Sequence, residues 1–296
     1  MSNDASSDLK VWLQNQFYNR VVGTLLPLNW FAPPVPDTST LTVPDERLAL
    51  QIVSHSWQYA HLSRFQLSSL VNYPPKVCDL TYTLFYAEED EAMKLLVEYF
   101  GAMNVPNVSW DWQVLPKQAL FRRAIGRNKV ALASKAHWLW FADCDLIFHE
   151  GCLDSLASAL HGRQQKLVYP DHEGITDLLP AEHPMLTQVS DNHSLVDIDV
   201  SLFYRNEITK AKGAFQIVHG DVARACGYCG TLPVYQAPSL RWRKTYEDTV
   251  FRKFIRTEGN AVPVQGLYRI RHAQKGRYAK DSALSGLRGA LRRWFD

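Results

Sequence analysis

The stretch HWLWFADCD (residues 137–145) decides the fold. Trp138, Leu139, Trp140, Phe141 and Ala142 form a run that is apolar at successive positions, so a strand here would bury both of its faces. That is the environment of a strand inside a parallel sheet covered by helices. The run ends in Asp143-Cys144-Asp145. Two carboxylates separated by one residue at a strand end can present oxygens on the same side. A buried strand that suddenly offers two acids reads as a site, because burying an uncompensated charge is costly.

A triplet of this kind is expected about once by chance at ordinary Asp usage in a chain of this length. The sequence holds its own control in Asp197-Ile198-Asp199. There Val196, Ile198, Val200 and Leu202 alternate with Asp197, Asp199 and Ser201, the pattern of a half-buried strand with a solvated polar face. At 143 and 145 the acids can instead serve a hard divalent cation. Mg²⁺ or Mn²⁺ takes oxygen ligands from a few carboxylates plus substrate phosphates, and would neutralise a departing diphosphate.

Outward from this stretch the rhythm is strand and helix. LALQIVSHS (48–56) reads as a first strand and TYTLFYA (81–87) as a second. EEDEAMKLLVEYFGAM (88–103) reads as a helix with acids in its first turn, where the macrodipole favours them. VSWDWQVL (108–115) is expected as a third strand and residues 118–136 as a helix. The expected fold is therefore α/β, one Rossmann-like domain over 46–278 with a mainly parallel sheet. Ligands of such sheets bind beyond the carboxyl ends of the strands, where His55, Glu88 and Asp143 stand. Residues 1–45 carry a helical pattern over 9–24 and then Pro27, Pro33, Pro34, Pro36 and Pro44, and read as an extension.

Composition sets broader bounds. The 296 residues are 46% hydrophobic and 12% aromatic, enough for a large packed core, and the formal net charge is only +2. That near-neutral balance argues against a nucleic-acid partner, which needs a clear basic surface, without removing it. Five unevenly spaced cysteines favour a reducing compartment. No charged region followed by an apolar run opens the chain, and no stretch approaches the roughly 18 apolar residues of a membrane span. The expectation is a cytoplasmic protein.

The block RRAIGRNKVALASKAHWLWFADCD (122–145) resembles the central block of nucleotide-sugar transferases with the GT-A fold, especially glycosyltransferase family two. Its matching elements are Arg127-Asn128 on a helix, the small residues Ala131 to Ala136, and Asp143-Cys144-Asp145. Three more follow in the family's order. GAFQIVHGD (213–221) resembles the glycine-containing loop near the acceptor side. Tyr246-Glu247-Asp248, opening a helix, resembles the motif that supplies the catalytic base. His272, after GLYRIRH, resembles the histidine that completes the metal site. The resemblance spans roughly residues 48–275. It implies Asp248 as base, Asp143, Asp145 and His272 around Mn²⁺ or Mg²⁺, and His55, Glu88, Arg127, Asn128 and Asp143 toward a nucleotide-diphosphate sugar. The family usually ends its second strand in aspartates, whereas this chain has Glu88-Glu89-Asp90.

The residues read by themselves leave alternatives. Glu247 and Asp248 also suit an ordinary helix start, and His272 also suits a basic surface strand among Arg269, Arg271, Lys275 and Arg277. Arg122, Arg123 and Arg127 could reach the diphosphate or form the solvated face of a helix, with Arg127-Asn128 preferred. An ionised Asp248 would deprotonate an acceptor hydroxyl and so direct inversion at the anomeric carbon. Cys226-Gly227-Tyr228-Cys229 reads as packed thiols rather than a redox or zinc pair, since no second such pair exists. The tail, 279–296, places Leu284, Leu287, Leu291, Trp294 and Phe295 with Arg288, Arg292 and Arg293, a basic amphipathic pattern suited to an anionic membrane surface or to packing on its own domain. The acceptor would be a glycan or a lipid-linked saccharide, less readily a protein or modified nucleic acid. Nucleotidyl transfer is the second class, but the turn after the first strand, Ser54-His55-Ser56-Trp57-Gln58, lacks the glycines of a phosphate loop. A non-catalytic sugar-nucleotide binder is the third, and would need no base.

Overall fold

The computed structural model describes residues 2–45, 47–187, 194–240 and 245–273. The basic tail at 279–296, with Lys275 and Arg277, lies outside them. The strands are β1 (Leu48–His55), β2 (Cys78–Tyr86), β3 (Val108–Val114), β4 (Trp138–Phe141), β5 (Leu146–Phe148), β6 (Leu167–Pro170), β7 (His172–Ile175), β8 (Tyr204–Glu207), β9 (Gln216–His219), β10 (Asn260–Val262) and β11 (Leu267–Arg269). Among the described residues, seven of them form a central sheet in the order β10-β6-β9-β4-β1-β2-β3. All its neighbours pair in parallel except β9, which runs antiparallel to both β4 and β6. The expected α/β fold with a mainly parallel sheet is thus present.

Alternation of side chains explains the layers. Leu50, Ile52, Leu80, Tyr82, Trp138 and Trp140 pack on one face with the helices Ala60–Asn72, Glu91–Gly101 and Cys152–Leu160. Val53, Phe85, Leu139 and Phe141 pack on the other with the helices Arg123–Ala133, Gly220–Cys226 and Glu247–Phe254. Each central strand is therefore covered twice, as the uninterrupted run at 138–142 requires. Trp140 keeps its indole satisfied in the core by donating Nε1–H to the Ala214 carbonyl at 2.7 Å.

A second sheet, β5-β11-β7-β8, stands at the end of β4. β11 runs antiparallel to β5 and parallel to β7, so the chain after Asp145 is clamped against the chain before His272.

Several expectations change. GAFQIVHGD is mostly not a loop: Gln216–His219 is the fully buried strand β9 and Gly220 opens a helix. The helix expected over 118–136 breaks into Lys117–Leu120 and Arg123–Ala133, because Arg122 leaves the helical region at φ −120°, ψ 80°. The helix expected over 88–103 is Glu91–Gly101, capped by Asp90. Asp197-Ile198-Asp199 is not in a strand. Ile198 packs into a cluster with Leu62, Ile147 and Ile270, Asp197 bonds to the Tyr73 hydroxyl, and Asp199 caps a 3₁₀ turn at Ser201. Of the alternating apolar residues there, Val196 and Ile198 reach that cluster, while Val200 and Leu202 stay exposed. Residues 17–42 pack on the domain rather than standing apart from it: Val22 and Leu41 are buried in its core, and Thr42 bonds through its N–H to Asp221. No helix among the described residues is long and apolar enough to cross a membrane.

Candidate active site

The parallel strands β1 and β4 end side by side, and the turns that follow them open a cleft of about 180 Å³. From β1 it is lined by His55, Ser56, Trp57 and Tyr59, and from β4 by Asp143, Cys144 and Asp145. Phe121 and Arg123 close one side and His272 another.

His272 arrives through the second sheet. Arg269 pairs with Leu146, Ile270 donates its N–H to the Asp145 carbonyl at 3.1 Å, and the chain continues to His272. The imidazole is buried and meets the edge of Tyr59, with ring centroids 5.4 Å apart. Asp143 and Asp145 therefore share one cleft with His272, which is distant from them in sequence.

Asp143 is a partner of arginines. Its carboxylate forms an ion pair with Arg123 and lies 3.5 Å from Arg127 Nη2. Arg123 and Arg127 are four apart on one helix and so share the face turned to β4. Burial pushes the Asp143 carboxyl up, but the two guanidiniums and the Arg123 hydrogen bond prevail and hold it below the usual value of 3.8. Arg123 holds its own proton more tightly, chiefly because of Asp143. Arg127 is 0% exposed, donates to the Tyr228 hydroxyl at 2.9 Å, and lies over the rings of Phe141 and Tyr228.

His55 stacks on Phe85 at 4.8 Å, and neither ring nitrogen has a hydrogen-bond partner among the described residues. Burial first, then the charges of Arg127 and Arg123, push its pKa well below 6.5, so the ring is neutral. Gly126 makes room for it: a Cβ there would stand 2.4 Å from His55 Nε2. The opposite wall is aromatic. Trp57 meets Phe121 edge-on, with Lys117 Nζ 4.4 Å above the indole.

Other expected residues sit elsewhere. Asn128 does not line the cleft; its Oδ1 accepts the Tyr228 N–H at 2.9 Å and presses on Gly227 and Gly230, where a Cβ would stand 2.3 and 2.6 Å from it. It shapes the Cys226–Cys229 loop. Glu88 is exposed in the turn after β2 and outside the cleft lining. The buried acid of that turn is Asp90, which accepts the Gln58 N–H at 2.6 Å and holds Gln58 at a φ of 57°. Asp248 is also outside the lining. It accepts the Gly213 N–H at 3.2 Å and faces Arg252 at 3.8 Å. Its neighbour Glu247, almost fully buried, is the acid that approaches a cleft residue, 3.8 Å from Arg123 Nε. Arg123, ranked in the sequence below Arg127-Asn128, is the cation on the cleft, and Glu247, read there as a helix-start acid, is its second partner; the four-residue spacing of Arg123 from Arg127 was the available signal.

Among the described residues, no group of three or more His, Cys, Asp or Glu is arranged to hold a metal ion. The donors are suitable for a hard cation, two carboxylates and an imidazole on one cleft. They are not gathered for one, because Asp143 is turned onto Arg123 and Arg127.

No protein-family model matches the chain, and no curated protein sequence matches it. The search of solved structures finds similar chains, among them the structure titled "Crystal structure of S. aureus TarS 1-349 in complex with UDP", at 10% identity. The match covers 46% of this chain and 37% of that one, with a TM-score of 0.35. So partial a likeness carries no argument, and the functional reading rests on the residues of the cleft.

Proposed function

We propose that this chain is a glycosyltransferase that moves a sugar from a nucleotide-diphosphate donor to a hydroxyl of a glycan or lipid-linked acceptor. The observation that carries the reading is the shared cleft at the carboxyl end of a parallel sheet, lined by Asp143, Asp145, His272 and Arg123. Arg123 supplies a fork of N–H donors suited to a diphosphate. Asp143, Asp145 and His272 are the residues that would hold Mn²⁺ or Mg²⁺, which would supply charge neutralisation of the leaving diphosphate. His55, neutral and mostly buried at the end of β1, would form part of the wall against the donor.

In this reading the acceptor oxygen bonds to the anomeric carbon as the bond from that carbon to the diphosphate oxygen breaks. The electron pair leaves with the diphosphate, and the acceptor proton passes to a carboxylate. Asp248 is the proposed base, in the first turn of a helix where the macrodipole favours an anion. In-line displacement inverts the anomeric centre, and NMR of the product is the check; a retained configuration excludes Asp248 in that role.

The deciding experiment is a panel of nucleotide sugars with Mn²⁺, read as thermal stabilisation and as transfer, since a ligand of the native state raises the melting temperature by mass action. Asp248→Asn should keep donor binding and lose turnover. If Asp248→Asn is fully active while Glu247→Gln is dead, the base is Glu247. If no nucleotide sugar stabilises the protein, the proposal fails.

A further inference from the structure

Tyr228, between the two cysteines of Cys226-Gly227-Tyr228-Cys229, is fully buried and bonded at each of its polar groups. Its N–H donates to Asn128 Oδ1 at 2.9 Å, its carbonyl accepts from Gln236 Nε2 at 3.2 Å, and its hydroxyl accepts from Arg127 Nη1 at 2.9 Å. Arg127 and Asn128 are consecutive on one helix, so that helix grips the tyrosine at both ends. The ring lies edge-on to Phe141 of β4 at 4.8 Å and stacks on Phe251 of the helix Glu247–Phe254 at 4.4 Å.

The hydroxyl carries this grip onward. A guanidinium only donates, so the Tyr228 hydrogen is left for another acceptor, Gln216 Oε1 at 2.8 Å. With its oxygen taken, the buried Gln216 amide turns Nε2 to the carbonyls of Asp248 at 3.1 Å and Ala211 at 3.3 Å. The next residue of the loop takes the adjacent carbonyl, Cys229 Sγ lying 3.5 Å from the Glu247 oxygen. Cys229 does so from a φ of 54°, a conformation that residues with a side chain seldom adopt. One chain of contacts therefore runs from Asp143 through Arg127, Tyr228 and Gln216 to the start of the helix that carries Glu247 and Asp248.

We propose that Tyr228 is a positioning residue, fixing the helix that carries Glu247 and Asp248 against the strand end that carries Asp143. The inference rests on the sugar-transfer reading above and holds whichever of the two carboxylates takes the acceptor proton. Tyr228 is outside the cleft lining, so it acts from behind the site. Transfer needs the proton-taking carboxylate and the departing diphosphate in one alignment, and a misplacement of about 1 Å can cost on the order of a hundredfold in rate. Asp143 keeps its ion pair with Arg123 when the tyrosine hydroxyl is removed, so the effect falls on turnover rather than on donor binding.

Tyr228→Phe deletes the link and keeps the ring. With the full chain and UDP-, GDP- and CDP-linked hexoses as donors, kcat for release of the nucleoside diphosphate should fall about tenfold while the donor KM stays within about twofold, the pattern of alignment lost in the transition state. Gln216→Met, which cuts the same chain one bond later and serves if Tyr228→Phe does not fold, should do the same. Because both cut one chain, the double variant should be no slower than the slower single variant. Val97→Ala is the control: it loosens the opposite face of the sheet and should leave kcat unchanged well below its melting temperature. A kcat kept in both single variants, losses that multiply in the double variant, or a fall matched by Val97→Ala overturns the positioning role and leaves the transfer reading standing. If wild type neither binds nor cleaves any of these donors, the transfer reading falls and the positioning role with it.

Discussion

Ile270 donates its backbone N–H to the carbonyl of Asp145, and this bond places His272 beside the two acids that end β4. The antiparallel pairing of β11 with β5 sets its register. A one-residue slip would turn every side chain of β11 to the opposite face. The cleft therefore depends on a small sheet formed from segments remote in sequence, and its chemistry is only as precise as that register.

Arg127 is expected to be structural. Arg127→Met would leave the Tyr228 hydroxyl without its donor and Asp143 with one guanidinium. Breaking an enclosed ion pair typically costs about 3–5 kcal/mol, and the low end is expected here because Arg123 remains. Urea denaturation measures it; a change below about 1 kcal/mol would remove Arg127 from the framework of the site.

Gly126 should not accept a side chain. In Gly126→Ala the new Cβ would meet His55 Nε2 at 2.4 Å and the Phe85 ring at 2.9 Å. Overpacking of this kind costs about 1–3 kcal/mol. Thermal unfolding should show the loss, and a wild-type melting temperature would mean the His55 ring is not lodged against this helix.

Stability should fall in mild acid. Burial and the arginines hold His55 neutral in the folded protein, with a pKa well below 6.5, and burial lowers His219 in the same sense. The unfolded chain takes up these protons near pH 6.5, so below that pH it binds more protons than the native state and stability drops as pH falls. The slope is at most about 1.4 kcal/mol per pH unit for each histidine. His55→Gln should flatten it by one histidine's share, measured by urea titration between pH 7 and 5. An unchanged slope would show that His55 takes up its proton in the native protein as readily as in the unfolded chain.

The thiols should be silent. All five cysteines are free and buried, and burial raises the Cys226 thiol to about 11 and Cys229 well above 9. Cys229 Sγ contacts the Glu247 carbonyl at 3.5 Å and Cys226 Sγ the Pro34 carbonyl at 3.8 Å. A thiol reagent should label none of them in the native state and all five after denaturation. Fast native labelling of Cys226 or Cys229 would revive a redox role for that pair.

The sequence by itself determined the mainly parallel sheet and the strand that ends in the paired acids. An apolar run at 138–142 admits only a doubly covered strand, and two acids at its end mark where that covering stops. These are local consequences of side-chain periodicity and of the cost of burying charge. Tertiary structure alone decided which residues meet there. Whether Arg123 or Asn128 faces Asp143 depends on where a helix begins, and whether Glu247 or Asp248 lies beside Arg123 depends on how another helix is rotated. Strand β9 was hidden for the same reason: its antiparallel place between β4 and β6 is fixed by long-range pairing, which leaves no periodic trace in four residues.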